Sequence, residues 1–229
     1  MQSSKKIVVL TGAGISAESG LKTFRGEDGL WEGYRIEEVA TPAAWQQNPE
    51  RVLAFYNHRR AGVAAAQPNA AHYALANLQS DYDVQIITQN IDDLHERAGS
   101  QQVLHLHGEI FKMRSEHQSE LVYDIRGDIQ LGDLAEDGAQ LRPDIVWFGE
   151  PVERMEAAVA LVSAADVFVV IGTSLLVYPA AGLIDYVSTK VPAVIIDKHL
   201  PAASPANFYS IEKPATEGVL MLTEWLRSL

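Results

Sequence analysis

The sequence contains no cysteine, which excludes disulfides, thiolate nucleophiles and cysteine-based zinc sites. A reducing cytoplasm is the expected setting, although a cysteine-free chain tolerates either compartment. Long hydrophobic runs are missing too: no stretch approaches the ~20 continuous apolar residues of a membrane span. The opening MQSSKKIVVL sets lysines before an apolar run, but that run passes directly into TGAGIS and reads as a first strand, not a signal peptide. Positive charge is scarce, with 18 Lys and Arg against 30 Asp and Glu and a formal net charge of -12. That balance argues against nucleic-acid binding, which needs basic patches, and would weakly attract a cationic partner such as a lysine-bearing protein. No serine sits in a G-x-S-x-G elbow, so neither a Ser-His-Asp nor a Cys-His reading is persuasive.

What is present suits one α/β enzyme. A chain of 229 residues can bury roughly 70% of its surface around a core. Lys6 to Leu10 is a short apolar run stopped by a Gly-rich turn, and segments 84–88, 144–148, 167–171 and 193–196 resemble it. Near-continuous β-branched runs suit a parallel sheet covered on both faces. Helices are expected between them: one capped by Asn69, one started by Pro151, one after Pro179, and a last one carrying Val219, Leu222 and Leu226. The alternation predicts a Rossmann-like, doubly wound parallel sheet. Residues 30–62 (helical, with a start at Asn48 and Pro49) and 111–142 break the rhythm. They are expected to meet as a small domain, leaving 1–29, 63–110 and 143–229 as the large one, with a ligand cleft between.

Polar residues gather where these strands end. Gly12, Ala13 and Gly14, followed by Ala17, match G-x-G-x-x-G/A after a strand. The glycines allow a tight turn and close approach of backbone N–H groups to a pyrophosphate, though a purely structural turn has the same pattern. No acidic ribose-binding residue arrives on a second strand about 20 residues later, as a dehydrogenase requires; the chain runs instead into Phe24 and Arg25, an aromatic and a cation suited to a lid. After segment 84–88 come Gln89, Asn90, Ile91, Asp92 and Asp93, whose amides and carboxylates can hold ribose hydroxyls and a carboxamide; for Asp93 a helix cap is the competing reading. His105 and His107 alternate around Leu106, which places both on one face, with His107 able to act as a general base near neutral pH. Gly172, Thr173 and Ser174 offer hydroxyls and backbone donors. Asp197 is a further ribose or adenine candidate, or a turn cap.

Together these strings resemble the sirtuin family of NAD-dependent protein-lysine deacylases. The matching segments are GAGISAESG at 12–20 with TFRG at 23–26, TQNIDDLH at 88–95, HLHG at 105–108, RPDIVWFGE at 142–150 and GTSLLVYPA at 172–180. They occur in the family's order over about three quarters of the chain. The resemblance implies NAD as cofactor, acylated-lysine proteins as substrates, and a large domain with a small one built from two insertions. It implies His107 as the base that deprotonates a ribose hydroxyl, with Asn90 and Asp92 positioning nicotinamide and its ribose, and Gln89 a further ribose contact. Ala13, Gly14, Phe24, Arg25, Thr173 and Ser174 match cofactor-site positions. Val146, Trp147, Phe148 and Gly149 match the strand that pairs with substrate backbone and packs on the lysine stem. Nicotinamide, lysine and O-acyl-ADP-ribose would be the products. An NAD glycohydrolase or ADP-ribosyltransferase would use the same nucleotide site but needs no peptide strand.

Two departures stand out. Lys22 replaces the family's usual proline. The family's two zinc-binding cysteine pairs are absent, and the corresponding stretches read MRSEH at 113–117 and DLAEDG at 133–138; packing of Leu121, Val122, Tyr123, Ile125, Ile129 and Leu131 would have to compensate. Tyr56 and Arg59 share a helix face at i,i+3 spacing. Spacing alone equally fits a core aromatic beside a solvated arginine. The resemblance ties Y-x-x-R to sirtuins that accept succinyl- and malonyl-lysine, where a carboxylate would meet the phenol and the guanidinium.

Overall fold

The computed structural model describes residues 4–22, 31–202 and 204–229. Its larger sheet has six strands: β1 (Lys6–Thr11), β2 (Asp83–Thr88), β3 (Val103–His105), β7 (Val167–Ile171), β8 (Ala193–Asp197) and β9 (Tyr209–Glu212). The order is β3-β2-β1-β7-β8-β9 and every pairing is parallel. The smaller sheet is antiparallel, with β4 (Gly108–Ser115) between β5 (Val122–Asp124) and β6 (Leu141–Ile145). The helices are α1 (Gly14–Ala17), α2 (Ile36–Val39), α3 (Pro42–Gln47), α4 (Pro49–Ala65), α5 (Ala70–Leu78), α6 (Leu94–Arg97), α7 (Met155–Ser163) and α8 (Ala215–Arg227).

The continuous apolar runs follow from two covered faces. Side chains alternate along β1, so Ile7 and Val9 pack with Leu75 of α5 and Val219 and Leu222 of α8. Val8 and Leu10 pack on the other side with Ala158 and Val162 of α7. A third cluster joins the small sheet to α2–α4 through Val39, Trp45, Phe55, Tyr56, Ile110 and Trp147. Both of the named caps form: the Asn69 side chain accepts from Ala71 N–H, and Asn48 accepts from Arg51 N–H with Pro49 at the first helical position.

Three sequence expectations are corrected. Segment 144–148 is no strand of the parallel sheet: Asp144 and Ile145 end β6 in the antiparallel one, and Val146–Phe148 leave it as a loop. Its apolar character reflects a loop that buries Trp147, only 2% exposed, in the core while Val146 and the more exposed Phe148 line the cavity. The helix expected from Pro151 begins at Met155, and Pro179 is followed by a 3₁₀ segment, Ala180–Tyr186. In the small sheet Tyr123, Ile125 and Ile129 join the core, but Val122 and Leu131 are exposed and lend it nothing. Among the described residues no helix is long and apolar enough to cross a membrane.

Candidate active site

The strand order reverses at β1, between β2 and β7, and in parallel sheets the crevice at such a point binds ligands. Two loops meet there. Gly14 N–H donates to the Gly172 carbonyl at 2.8 Å. A Cβ on Gly12 would come within 2.7 Å of the Gly172 oxygen and of Thr173 Cβ, and one on Gly14 within 2.6 Å of Gly172 Cα. These glycines are therefore required first by the packing of one loop on the other. Gly172 itself has φ +65, a backbone state glycine reaches without strain.

A cavity of about 770 Å³ opens above these loops and extends between the two sheets. Gly12, Ala13, Gly14 and Ala17 line it from β1–α1, Gln89, Asn90, Ile91 and Asp92 from the end of β2, and Gly172, Thr173 and Ser174 from the end of β7. Asp197 reaches it from β8, His107 from the β3–β4 turn, Tyr56 and Arg59 from α4, and Val146, Trp147, Phe148 and Gly149 from the loop after β6. Phe24 and Arg25 lie outside the described residues.

The polar floor is a connected network. Asn90 Nδ2 donates to Ser16 Oγ at 3.1 Å, and Ser16 Oγ donates to Asp92 Oδ2 at 3.0 Å. Asp92 is buried, which raises its pKa against the bonds from Leu94 N–H and Ser16 that favour the carboxylate. Gln89 Nε2 donates to Thr173 Oγ1 at 3.1 Å, tying β2 to β7. His107 Nδ1 lies 3.0 Å from the Gln89 carbonyl, so that nitrogen carries the proton and donates it there. Nε2 is thereby left with its lone pair free to accept a proton. Burial lowers the His107 pKa, partly opposed by the bond to Gln89, and keeps the ring neutral at pH 7.

The far end of the cavity is aromatic and cationic. Trp147 Nε1 donates to the Tyr56 hydroxyl at 3.1 Å, and the Arg142 guanidinium lies 3.2 Å from the centre of the Trp147 ring. Arg142 in turn is held bidentately by Glu150, at 2.7 and 3.1 Å. Because Tyr56 accepts from Trp147, its own proton is free to be donated; burial raises its pKa, so the phenol stays neutral. The Arg59 side chain is 9% exposed, so the solvated-arginine alternative does not hold.

The Sir2 family model matches residues 12–179. The chain belongs to the Sir2 family. It is 53% identical over 216 residues to an NAD-dependent protein deacylase of Helicobacter pylori, covering 94% of each chain. It is 47% identical to an NAD-dependent protein deacylase of Bacteroides thetaiotaomicron, covering 97% of this chain and 98% of the relative. Among solved structures it resembles a Sir2 homolog–NAD complex (TM-score 0.87, 41% identity, 98% of this chain and 90% of that one). A Sir2 homologue mutant bound to ADP-ribose gives a TM-score of 0.89 at 40% identity, covering 98% and 93%.

The residues of this Sir2 chain fit a dinucleotide. The cavity is large enough, its floor of Gly12–Gly14 and Gly172 keeps side chains out of the way, and a buried carboxylate and two hydroxyls face it. Sequence reasoning missed Ser16, read only as a spacer inside the glycine pattern, although it joins Asn90 to Asp92. Two further expectations change. His105 does not share a face with His107: β3 ends at His105, whose Nε2 meets Glu96 at 2.8 Å and whose Nδ1 meets the Asn90 carbonyl at 3.1 Å, behind the site. The cap ahead of α6 comes from Asp92 Oδ1 to Leu94 N–H, whereas Asp93 pairs with Arg97 and Arg126. Asp197 lines the cavity and accepts from His199 N–H, as a turn cap does. Among the described residues no group of three or more His, Cys, Asp or Glu is placed to hold a metal ion.

Proposed function

We propose that this enzyme removes acyl groups ending in a carboxylate, succinyl and malonyl, from protein lysine, and also removes acetyl. At the coarser level the chain is an NAD-dependent protein deacylase of the sirtuin type. Bound NAD supplies an electrophilic ribose carbon, activated by its bond to nicotinamide, and the hydroxyl that receives the acyl group. The rest is the work of this chain's residues. Asp92 sets a buried carboxylate where positive charge develops, with its orientation fixed by Ser16 and Leu94 N–H. Asn90, held by the same serine, lines the cavity and would hold the nicotinamide end of the cofactor there. His107, neutral and with Nε2 open, takes the hydroxyl proton while Nδ1 stays on Gln89. Val146 N–H bonds the His107 carbonyl and Phe148 N–H bonds the Ala40 carbonyl, which ties the substrate loop to the base on one side and to the helical insertion on the other. Trp147 and Phe148 give the apolar lysine stem a wall that excludes water.

The observation supporting the acid-chain preference is the pair Tyr56 and Arg59, buried at the acyl end of the cavity with a free phenol proton and a guanidinium. A neutral donor beside a cation reads a carboxylate well. Replacing Arg59 by methionine is expected to raise the succinyl-peptide KM tenfold or more, ~1.4 kcal/mol, while disturbing acetyl-peptide turnover far less. Equal losses on both peptides would make Arg59 a structural residue, and a wild-type enzyme inert toward succinyl-lysine would end the assignment.

A further inference from the structure

The guanidinium of Arg59 already has a carboxylate on it. Glu32 Oε1 lies 3.0 Å from Arg59 Nη1, and the two side chains are 18% and 9% exposed. The other oxygen of the same carboxylate, Oε2, lies 3.2 Å from Lys22 Nζ, whose side chain is 72% exposed. Lys22, Trp31 and Arg59 all line the cavity, and the guanidinium packs 4.7 Å from the centre of the Trp31 ring. Among the described residues one carboxylate thus bridges two cations, with the buried Asp92 attracting Arg59 more weakly. Arg59 also has a donor to spare: its Nε is buried with no hydrogen-bond partner among the described residues. Burial lowers the Arg59 pKa, and Glu32 is the first group that opposes this.

We infer that Glu32 determines acyl specificity as an exchangeable counter-ion, shared between Lys22 and Arg59 until a substrate carboxylate takes Arg59. This rests on the acid-chain reading above. When the acyl group ends in a carboxylate, that carboxylate pairs with Arg59 and Glu32 retires to Lys22, so that each of the two cations keeps a carboxylate. The exchange replaces one charge-assisted bond by another and leaves no buried charge unpaired. When the acyl group is acetyl, Glu32 stays on Arg59 and the apolar methyl group does not face an uncompensated guanidinium, whose desolvation would be costly. Glu32 therefore weakens the acid substrate by competing for its site and supports the neutral one. This is how one pocket serves two chemically different chains, and specificity is set by a competing interaction as much as by an attractive one.

The test reads the ratio of KM for a succinyl peptide to KM for the matched acetyl peptide, in the full-length enzyme with saturating NAD. Glu32→Gln removes the competitor and is expected to lower the ratio at least fivefold, both by tightening the succinyl peptide and by weakening the acetyl one. Lys22→Gln removes the refuge of Glu32 and is expected to raise the ratio at least threefold. In the double variant the Lys22 substitution should have no further effect, because Lys22 acts through Glu32. A ratio that stays put in Glu32→Gln, or that moves the same way in both single variants, would overturn the inference. So would a Lys22 effect that persists undiminished in the double variant, since Lys22 would then attract the substrate directly. If Glu32→Gln fails to fold, as judged by its Tm with NAD, Glu32 is a structural partner of Arg59 and the inference fails. Arg59→Met separates the two levels. If it raises the ratio while Glu32→Gln leaves it unmoved, only the counter-ion role is lost. If the wild-type enzyme ignores the succinyl peptide and Arg59→Met moves nothing, the acid-chain reading falls first.

Discussion

His107 shows how a single side chain is prepared by its surroundings. The Gln89 carbonyl fixes which nitrogen holds the proton, and burial keeps the ring neutral. Replacing it by alanine is expected to lower turnover by about 10²–10⁴-fold, the usual worth of a general base. Tm and the Kd for NAD should change little, because the ring donates only to a backbone carbonyl. Retention of more than about a tenth of wild-type turnover would remove His107 from that role. The pH dependence has a definite sign. Activity needs the neutral ring, and a lowered pKa means that protonation occurs only below the ordinary histidine value, so the acid limb of kcat/KM should fall below about pH 6.5. A limb at or above that value would show that some other group titrates. Arg59 shows the same dependence: Glu32 and the Trp31 ring make it a buried, paired charge where spacing alone allowed a solvated one.

At the scale of elements, β1, β2, β7 and β8 were legible because strands covered on both faces need apolar residues at every position. The edge strands β3 and β9 were not: they have three and four residues, and Tyr209 and Ser210 of β9 carry little apolar signal. Segment 144–148 misled for the opposite reason, since a loop that sets Trp147 in the core and Phe148 along the cavity is as apolar as a strand. Candidate site residues were easier to place than the elements, because α/β ligands sit where parallel strands end, and a Gly-rich or polar string there is visible without knowing the sheet order. Ser16 escaped because a pattern written with unspecified positions hides the side chains that occupy them. The stretches 113–117 and 133–138, which lack cysteine, are joined by other means. Ser115 Oγ donates to Asp137 at 2.6 Å and accepts from the N–H groups of His117 and Gln118, while Asp137 also accepts from Ala139 N–H. Ser115→Ala leaves two backbone donors unmet and cuts the link between the two stretches. It is expected to lower Tm by about 2–6 °C with the KM for NAD unchanged. An unchanged Tm would mean the two stretches are held by the apolar core beneath them alone.

Across the whole molecule, acid should be the weak side, and the reason lies beneath the site. His72 and His95 are fully buried against Ser16 and Thr11, with ring centres 5.0 Å apart. His72 Nδ1 accepts from Asn69 N–H at the start of α5, and His95 Nε2 lies 3.0 Å from Thr11 Oγ1 at the end of β1. Burial lowers His72 to about 4, and burial together with its histidine neighbours holds His95 well below 6.5. Both groups take a proton more readily in the unfolded chain, so their contribution is complete above about pH 6.5 and is lost as pH falls toward the folded values. Each proton adds a slope of ~1.4 kcal/mol per pH unit. His105 runs the other way: burial opposes its charge, but Glu96, Glu109 and the Asn90 carbonyl together outweigh burial and raise its pKa, so its contribution is complete below 6.5 and is lost on the alkaline side. The net charge of -12 also favours acid, since protonating carboxylates relieves repulsion, and so do Asp92, Asp144 and Asp197, whose pKa values burial raises; unperturbed carboxylates titrate near ~4. Between pH 6.5 and 5 His72 and His95 are joined by His107, which burial also lowers, and three protons favouring the unfolded chain are expected to outweigh the opposing groups. The urea midpoint should fall steadily across that window, by an amount equivalent to more than one proton taken up on unfolding. A flat midpoint from pH 7 to 5 would show that the pair is already charged in the folded protein, and the bond from Asn69 N–H, which needs an unprotonated His72 Nδ1, would then not form.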